Sequence, residues 1–298
     1  VHSCVQKAIE SLGLGARSLR KVPVNADFEI DVGALERMVA EDRAAGLQPF
    51  CVIGNAATIN TGATDDLDAL ATVCEREQLW FHVDGAIGAL LALAPAHRHL
   101  VRGMERADSV TLDLHKWLHV PFEAACVLVR DRKAHREAFA LTPEYLEKTE
   151  RGLASGALWF SEYGLQLSRG FRALKVWLSI KEHGLDRFGR LIDRNIAQAH
   201  ELAALVQAEP DLELLAPVAT NIVCFRYNPG GLSDEQLNAL NEELLIRLHE
   251  SGIAAPSYTT LDGRYCLRAA IVNYRTTSAD LPVLVGAVRE IGASLPRP

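Results

Sequence analysis

The chain has 298 residues, 49% of them hydrophobic and 23% charged, with a formal net charge of −7 at neutral pH. That acidic balance argues against nucleic acid or an anionic membrane as a partner, because both are held by clustered basic side chains. No apolar stretch approaches the ~20 residues of a membrane helix, no secretory leader is visible, and at about 150 residues per domain the length suggests two domains.

In chain order, Val5 to Leu12 has helical spacing and stops at Gly13 and Gly15. Ser18 to Val24 reads as a strand, with a polar turn at Asn25-Ala26-Asp27 behind it. Asp31 is placed to cap a helix over Val32 to Ala45, which Gly46 ends. Phe50-Cys51-Val52-Ile53 is the next strand, followed by a loop from Asn55 to Asp66 and a helix through Glu75, capped by Asp65 or Asp66. Leu79 to Val83 and Ser109 to Leu112 read as short buried strands, and Ala124 to Val129 as a strand returning to the sheet. Strands alternating with helical patterns over roughly the first 180 residues imply a βαβ-layered α/β domain with a mostly parallel sheet. Leu141 to Phe160 reads as a loop, and Gly164 to Gly184 as a long helix leading out. From residue 181 onward a smaller α+β domain is expected. Its helices fall at Phe188 to Gln207, Ser233 to Ser251 and about Ala279 to Ser294, its strands at Ile222 to Arg226 and Tyr265 to Ala270.

Two motifs carry the chemistry. Asp84 ends one strand, in His82-Val83-Asp84-Gly85-Ala86, and Lys116 follows another, in Asp113-Leu114-His115-Lys116-Trp117. In open α/β sheets ligands bind beyond the carboxyl ends of the strands, where both groups fall. An acid and an amine at one sheet edge suit pyridoxal 5'-phosphate: lysine forms the Schiff base, and the acid keeps the pyridinium nitrogen protonated. The plain alternatives are a surface lysine at a helix start and an aspartate capping a helix after a strand.

On these motifs, together with His2-Ser3-Cys4-Val5, the Asn55 to Asp66 segment and Phe171-Arg172-Ala173-Leu174-Lys175-Val176-Trp177, the chain resembles the group II pyridoxal-phosphate amino-acid decarboxylases. Pro143-Glu144-Tyr145-Leu146 and the Leu-Ser-Arg-Gly-Phe-Arg run at 167–172 look most like the aromatic-L-amino-acid enzymes. The resemblance implies a fold-type-I large domain over 1–180 and a small C-terminal domain over 181–298. It also implies that an L-amino acid, aromatic by preference, is converted to its amine and carbon dioxide by a cytoplasmic homodimer. Lys116 would be the Schiff-base lysine and Asp84 the anchor of the pyridine nitrogen. Ala86 would pack on one ring face, His2 would stack on the other, Thr58 would bond the cofactor's polar groups, and His115 would contact its phosphate. Tyr145 would return a proton to the α-carbon, which a hydroxyl can do and a phenyl cannot; His2, as an imidazole, could help.

The family carries a portion ahead of the position of His2, so a partial site is expected here. This chain departs from the family pattern at Ile59, where a second threonine is usual, at Ile87, where an aromatic is usual, and at Asp113, where many relatives have asparagine facing the phosphate. A carboxylate at 113 would repel that phosphate unless it turned away or bonded a neighbour. Three readings compete with an amine-forming aromatic decarboxylase: a glutamate or cysteine-sulfinate type, an aldehyde-forming or carbon–carbon-cleaving relative, and a non-catalytic fragment. The six cysteines at 4, 51, 74, 126, 224 and 266 form no C-x-x-C pair and no cluster with histidine, so neither zinc nor disulfides are expected. His115 and His119 have the spacing of a zinc helix, but Lys116 stands where a metalloprotease needs glutamate.

Overall fold

In the computed structural model, which describes residues 2–141, 151–152, 155 and 159–296, the chain is an α/β protein with two sheets. The first runs in the order β1 (Cys51–Asn55), β2 (Trp80–Asp84), β3 (Ser109–Asp113) and β4 (Ala125–Val129). The first three strands are parallel, and β4 pairs antiparallel with β3. Helix α1 (Ser3–Ser11) leads the chain, α2 (Val32–Ala44) and α3 (Leu67–Glu77) precede β1 and β2, and α4 (Arg132–Phe139) follows β4. Asp31 caps α2 by accepting the Ala34 N–H. At α3 the cap is Asp66, accepting the Ala69 N–H, because Asp65 is used elsewhere: its carboxylate takes the N–H groups of Ile30 and Asn55.

Two expected elements differ. Ser18 to Val24 forms no strand; it holds the end of a 3₁₀ turn (Ala16–Ser18) and one bridge, Val24 to Ile30. Its apolar residues have no neighbouring strand to pair with, and Pro23 lacks the N–H that a ladder needs. The helix expected from Gly164 begins only at Arg172, as α5 (Arg172–His183). Gly164 and Gly170 break the run, and Leu165, Leu167 and Phe171 remain exposed ahead of the helix.

The second sheet is antiparallel, in the order β5 (Leu212–Leu214), β6 (Ile222–Tyr227), β8 (Arg264–Ala270), β7 (Ser257–Leu261). Strands β5 and β7 went unread because both are short and lie at the sheet edges. Helices α7 (Asp234–Ser251) and α8 (Asp280–Ser294) complete this unit. Ser233 and Gln236 form a reciprocal capping box at the start of α7.

Helix α6 (Leu185–Ala208) belongs to both cores. Its first half places Phe188, Ile192 and Ile196 among Leu67, Leu70, Phe81, Val83 and Trp117 of the first core. Its second half places Ala199, Leu202, Ala203 and Val206 among Phe225, Leu244 and Leu267 of the second. The helix comes this close because Gly189 has no side chain: a Cβ there would lie 2.0 Å from the Leu93 carbonyl oxygen. Trp117, fully buried, donates its indole N–H to Asn195 of α6 at 3.0 Å. Asn195 donates to Gln198, which donates to the Thr276 carbonyl of the second unit. Trp117→Ala should therefore lower unfolding free energy by about 3–5 kcal/mol in denaturant titration, the cost of a buried aromatic cavity. A loss below about 1 kcal/mol would contradict this packing role.

Candidate active site

Register places the carboxyl ends of the three parallel strands side by side. Asn55 pairs with Asp84, and Asp84 with Thr111 two residues before the end of β3. Beyond these ends the two motif segments are joined directly. The Asp113 N–H donates to the Ala86 carbonyl at 3.1 Å, and the Gly85 N–H to the Thr111 carbonyl at 3.0 Å. A Cβ at Gly85 would sit 2.6 Å from that of Ala89, so glycine here lets the chain turn back after β2. Ile87, where an aromatic was expected, packs against the first core.

Asp84 is half-buried, and one of its oxygens accepts the Ala86 N–H at 3.2 Å. Among the described residues it forms no ion pair. A carboxylate withdrawn from water without a cation is costly. Behind it lies a polar ladder. His82, on the same strand face as Asp84, shares one ring nitrogen with Ser109 at 2.8 Å and the other with Thr111 at 3.3 Å. Ser109 also accepts the Trp80 indole N–H at 2.8 Å. Burial pushes the His82 imidazole down from its ordinary pKa, against the opposing charge of Asp84.

After β3 the chain makes a turn in which the Lys116 N–H donates to the Asp113 carbonyl. The Lys116 Nζ lies 2.7 Å from Asp113 Oδ2, with the lysine side chain 39% and the aspartate 17% exposed. The expectation left Asp113 as turned away or bonded to a neighbour; it is bonded to the lysine. The i, i+3 spacing of the pair was the signal in the sequence. His115 Nδ1 accepts the Ala124 N–H at 3.1 Å. The Ala124 carbonyl already accepts the N–H groups of Leu114 and His115. Nδ1 also lies 3.0 Å from that carbonyl oxygen, so either tautomer satisfies Ala124, and the one protonated on Nε2 would donate to an anion.

Thr58 stands past the end of β1, half-buried, its hydroxyl 3.0 Å from that of Thr61 in a turn closed by Gly62 N–H to the Thr58 carbonyl. That turn is tied to the second sheet unit through Gly62, whose carbonyl accepts the Thr220 hydroxyl at 2.9 Å. Thr58, Asp84, Ala86, His115 and Lys116 thus share one sheet edge. His2 does not join them by any hydrogen bond or ring contact among the described residues. It caps α1 by accepting the Cys4 N–H at 3.1 Å, and α1 buries none of its residues. Tyr145 lies outside the described residues.

The donor set suits an anionic aldehyde carried on a pyridine: an amine, a half-buried carboxylate, an imidazole and a hydroxyl, with the small Ala86 two residues after the carboxylate. Among the described residues no group of three or more His, Cys, Asp or Glu is arranged to hold a metal ion.

The family model described as the pyridoxal-dependent decarboxylase conserved domain matches residues 1–228. The chain is 38% identical over 281 residues to an aromatic-L-amino-acid decarboxylase of Bacillus atrophaeus, covering 94% of this chain and 58% of that protein. It is 31% identical over 272 residues to a phenylacetaldehyde synthase of Arabidopsis thaliana, covering 91% and 55% respectively. Among solved structures, Oryza sativa TDC with PLP and tryptamine superposes with a TM-score of 0.92 at 27% identity, covering 98% of this chain and 61% of that one. Mouse CSAD in its apo form gives 0.91 at 28% identity, covering 99% and 63%. The chain spans a little over half the length of the curated relatives it matches.

Proposed function

Because the chain belongs to the pyridoxal-dependent decarboxylase family, whose cofactor is pyridoxal 5'-phosphate, we propose that it decarboxylates an L-amino acid, aromatic by preference, to the amine and carbon dioxide. The observation that carries this reading is the half-buried Asp84 carboxylate, with no ion pair among the described residues, at the same sheet edge as the Lys116 amine. When bound, the cofactor supplies an electron-accepting ring for the bond that breaks at the α-carbon.

The residues divide the work. Lys116 would form the covalent tether to the aldehyde and yield it to the substrate amine. Asp84 would hold a cationic pyridine N–H, gaining an ion-pair partner that it does not have among the described residues. Ala86, with only a methyl group, would leave room for a flat ring. His115 would contact the phosphate, and the Thr58 hydroxyl would bond a polar group of the ring. His2 and Tyr145 are assigned as the ring-stacking imidazole and the proton donor to the α-carbon. These two roles rest on the family pattern alone. Residues 1–180 are read as the cofactor-binding domain and 181–298 as the small domain.

A homodimer is supported by apolar side chains left open to water: Phe122 is 82%, Leu128 58% and Trp177 57% exposed. A cytoplasmic setting is supported by six free thiols. Among the described residues no helix is long and apolar enough to cross a membrane.

The test is a panel of L-amino acids incubated with protein and pyridoxal 5'-phosphate, followed by assay of carbon dioxide, amine, aldehyde and ammonia. Carbon dioxide with a matching amine, greatest for Trp, Tyr, Phe or their hydroxylated forms, is expected. Aldehyde with ammonia would favour the second reading, for which the similarity to a phenylacetaldehyde synthase speaks. Absence of carbon dioxide from every amino acid would overturn both.

A further inference from the structure

The function proposed above gives Lys116 two states, tethered to the cofactor and released, and the second needs a place for its charge. The geometry points to Asp113: we propose that it is a positioning residue that holds the released Lys116 ammonium and thereby draws amine exchange toward the substrate. The inference rests on that reading and deepens it. Asp113 Oδ2 is 2.7 Å from Lys116 Nζ, and its side chain is 17% exposed, so the pair is partly shielded from water. Asp113 is fixed from both sides by its backbone: its N–H is held by the Ala86 carbonyl and its carbonyl by the Lys116 N–H. The carboxylate is thus set by the same turn that sets the lysine.

The exchange balances as follows. The amino acid arrives with its nitrogen as –NH3+, while Lys116 carries a protonated carbon–nitrogen double bond. Lys116 gives up that double bond to the substrate nitrogen and takes two protons from it, leaving as –NH3+. One carbon–nitrogen double bond forms as another breaks, and total charge is unchanged. What changes is where the ammonium sits: before exchange it is on the substrate in water, afterwards on Lys116 against Asp113. The carboxylate faces a cationic Lys116 nitrogen in both arrangements, but the released ammonium offers three N–H donors and a localised charge where the conjugated iminium offers one N–H and a spread charge, so Asp113 favours the second. An asparagine keeps the shape and hydrogen-bonding capacity but not the charge, so the substitution isolates the electrostatic part.

Wild-type, Asp113→Asn, Asp113→Glu and Lys116→Ala proteins separate the possibilities. In cofactor-free protein, acetylation of Lys116 by acetic anhydride, followed by peptide mass spectrometry, should be about fivefold faster in Asp113→Asn, the upper range for a partly exposed ion pair. In loaded protein, titration with 2-phenylethylamine, followed through the cofactor's absorbance, should need about fivefold more amine in that variant. Asp113→Glu should restore both toward wild type, which a merely structural role for Asp113 would not predict. Equal acetylation and equal amine titration in wild type and Asp113→Asn would overturn the inference. A wild-type absorbance band indistinguishable from that of Lys116→Ala would overturn the reading of Lys116 itself, whatever Asp113 does.

Discussion

Lys116→Ala is expected to abolish the lysine-dependent absorbance of bound pyridoxal 5'-phosphate and to cut carbon dioxide release by roughly 10³-fold or more, since both covalent tether and proton carrier are lost. Its fold should not suffer. The side chain is 39% exposed and pairs with Asp113, and a pair of this kind contributes about 0–1 kcal/mol. The unfolding temperature of the cofactor-free variant should stay near that of wild type, in contrast to Trp117→Ala one position on. Spectroscopy, turnover and melting measured on the same preparation decide the matter. Retention of the band with intact turnover would remove Lys116 from the site.

Asp84→Asn is the second large effect. The amide preserves the acceptor for the Ala86 N–H, so the local turn survives, but it no longer holds a pyridine nitrogen protonated. Loss of one preorganised electrostatic partner costs about 10²–10³-fold in turnover. Loss of a charge-assisted hydrogen bond of about 1.5–3 kcal/mol weakens cofactor binding by roughly 10- to 100-fold. Fluorescence titration of the cofactor-free variant gives the second number independently of catalysis. Because His82 is kept neutral by burial beside Asp84, it supplies no substitute charge in the variant. Unchanged affinity and unchanged turnover together would mean that Asp84 serves the backbone only.

Much of the fold around the candidate site could be read before any coordinates. The apolar runs ending at Asp84 and Asp113 announce strands because a parallel sheet buries both faces. The glycine at 85 after the first run then follows from the close return of the chain onto Ala89. The capping residue Asp31 was equally legible, since a side-chain acceptor before a helix has few other uses. Less legible was anything that depends on a partner far away in sequence. Ser18 to Val24 has strand-like composition, yet no edge is offered to it, and composition cannot reveal a missing neighbour. Asp65 and Asp66 look interchangeable as caps, until Asp65 is drawn away by the N–H groups of Ile30 and Asn55.

The sequence by itself determined the local chemistry of this protein: which strands end in an acid or an amine, which turns need glycine, and which family pattern they spell. Tertiary structure alone decided the pairings. It gave Lys116 to Asp113, anchored Trp117 on Asn195 of a helix that serves two cores, and left Asp84 without a cation among the described residues. The reason is physical. Helix and strand periodicities act over a few residues, whereas the partner of a half-buried charge is set by which distant segments the packed core brings within about 3 Å.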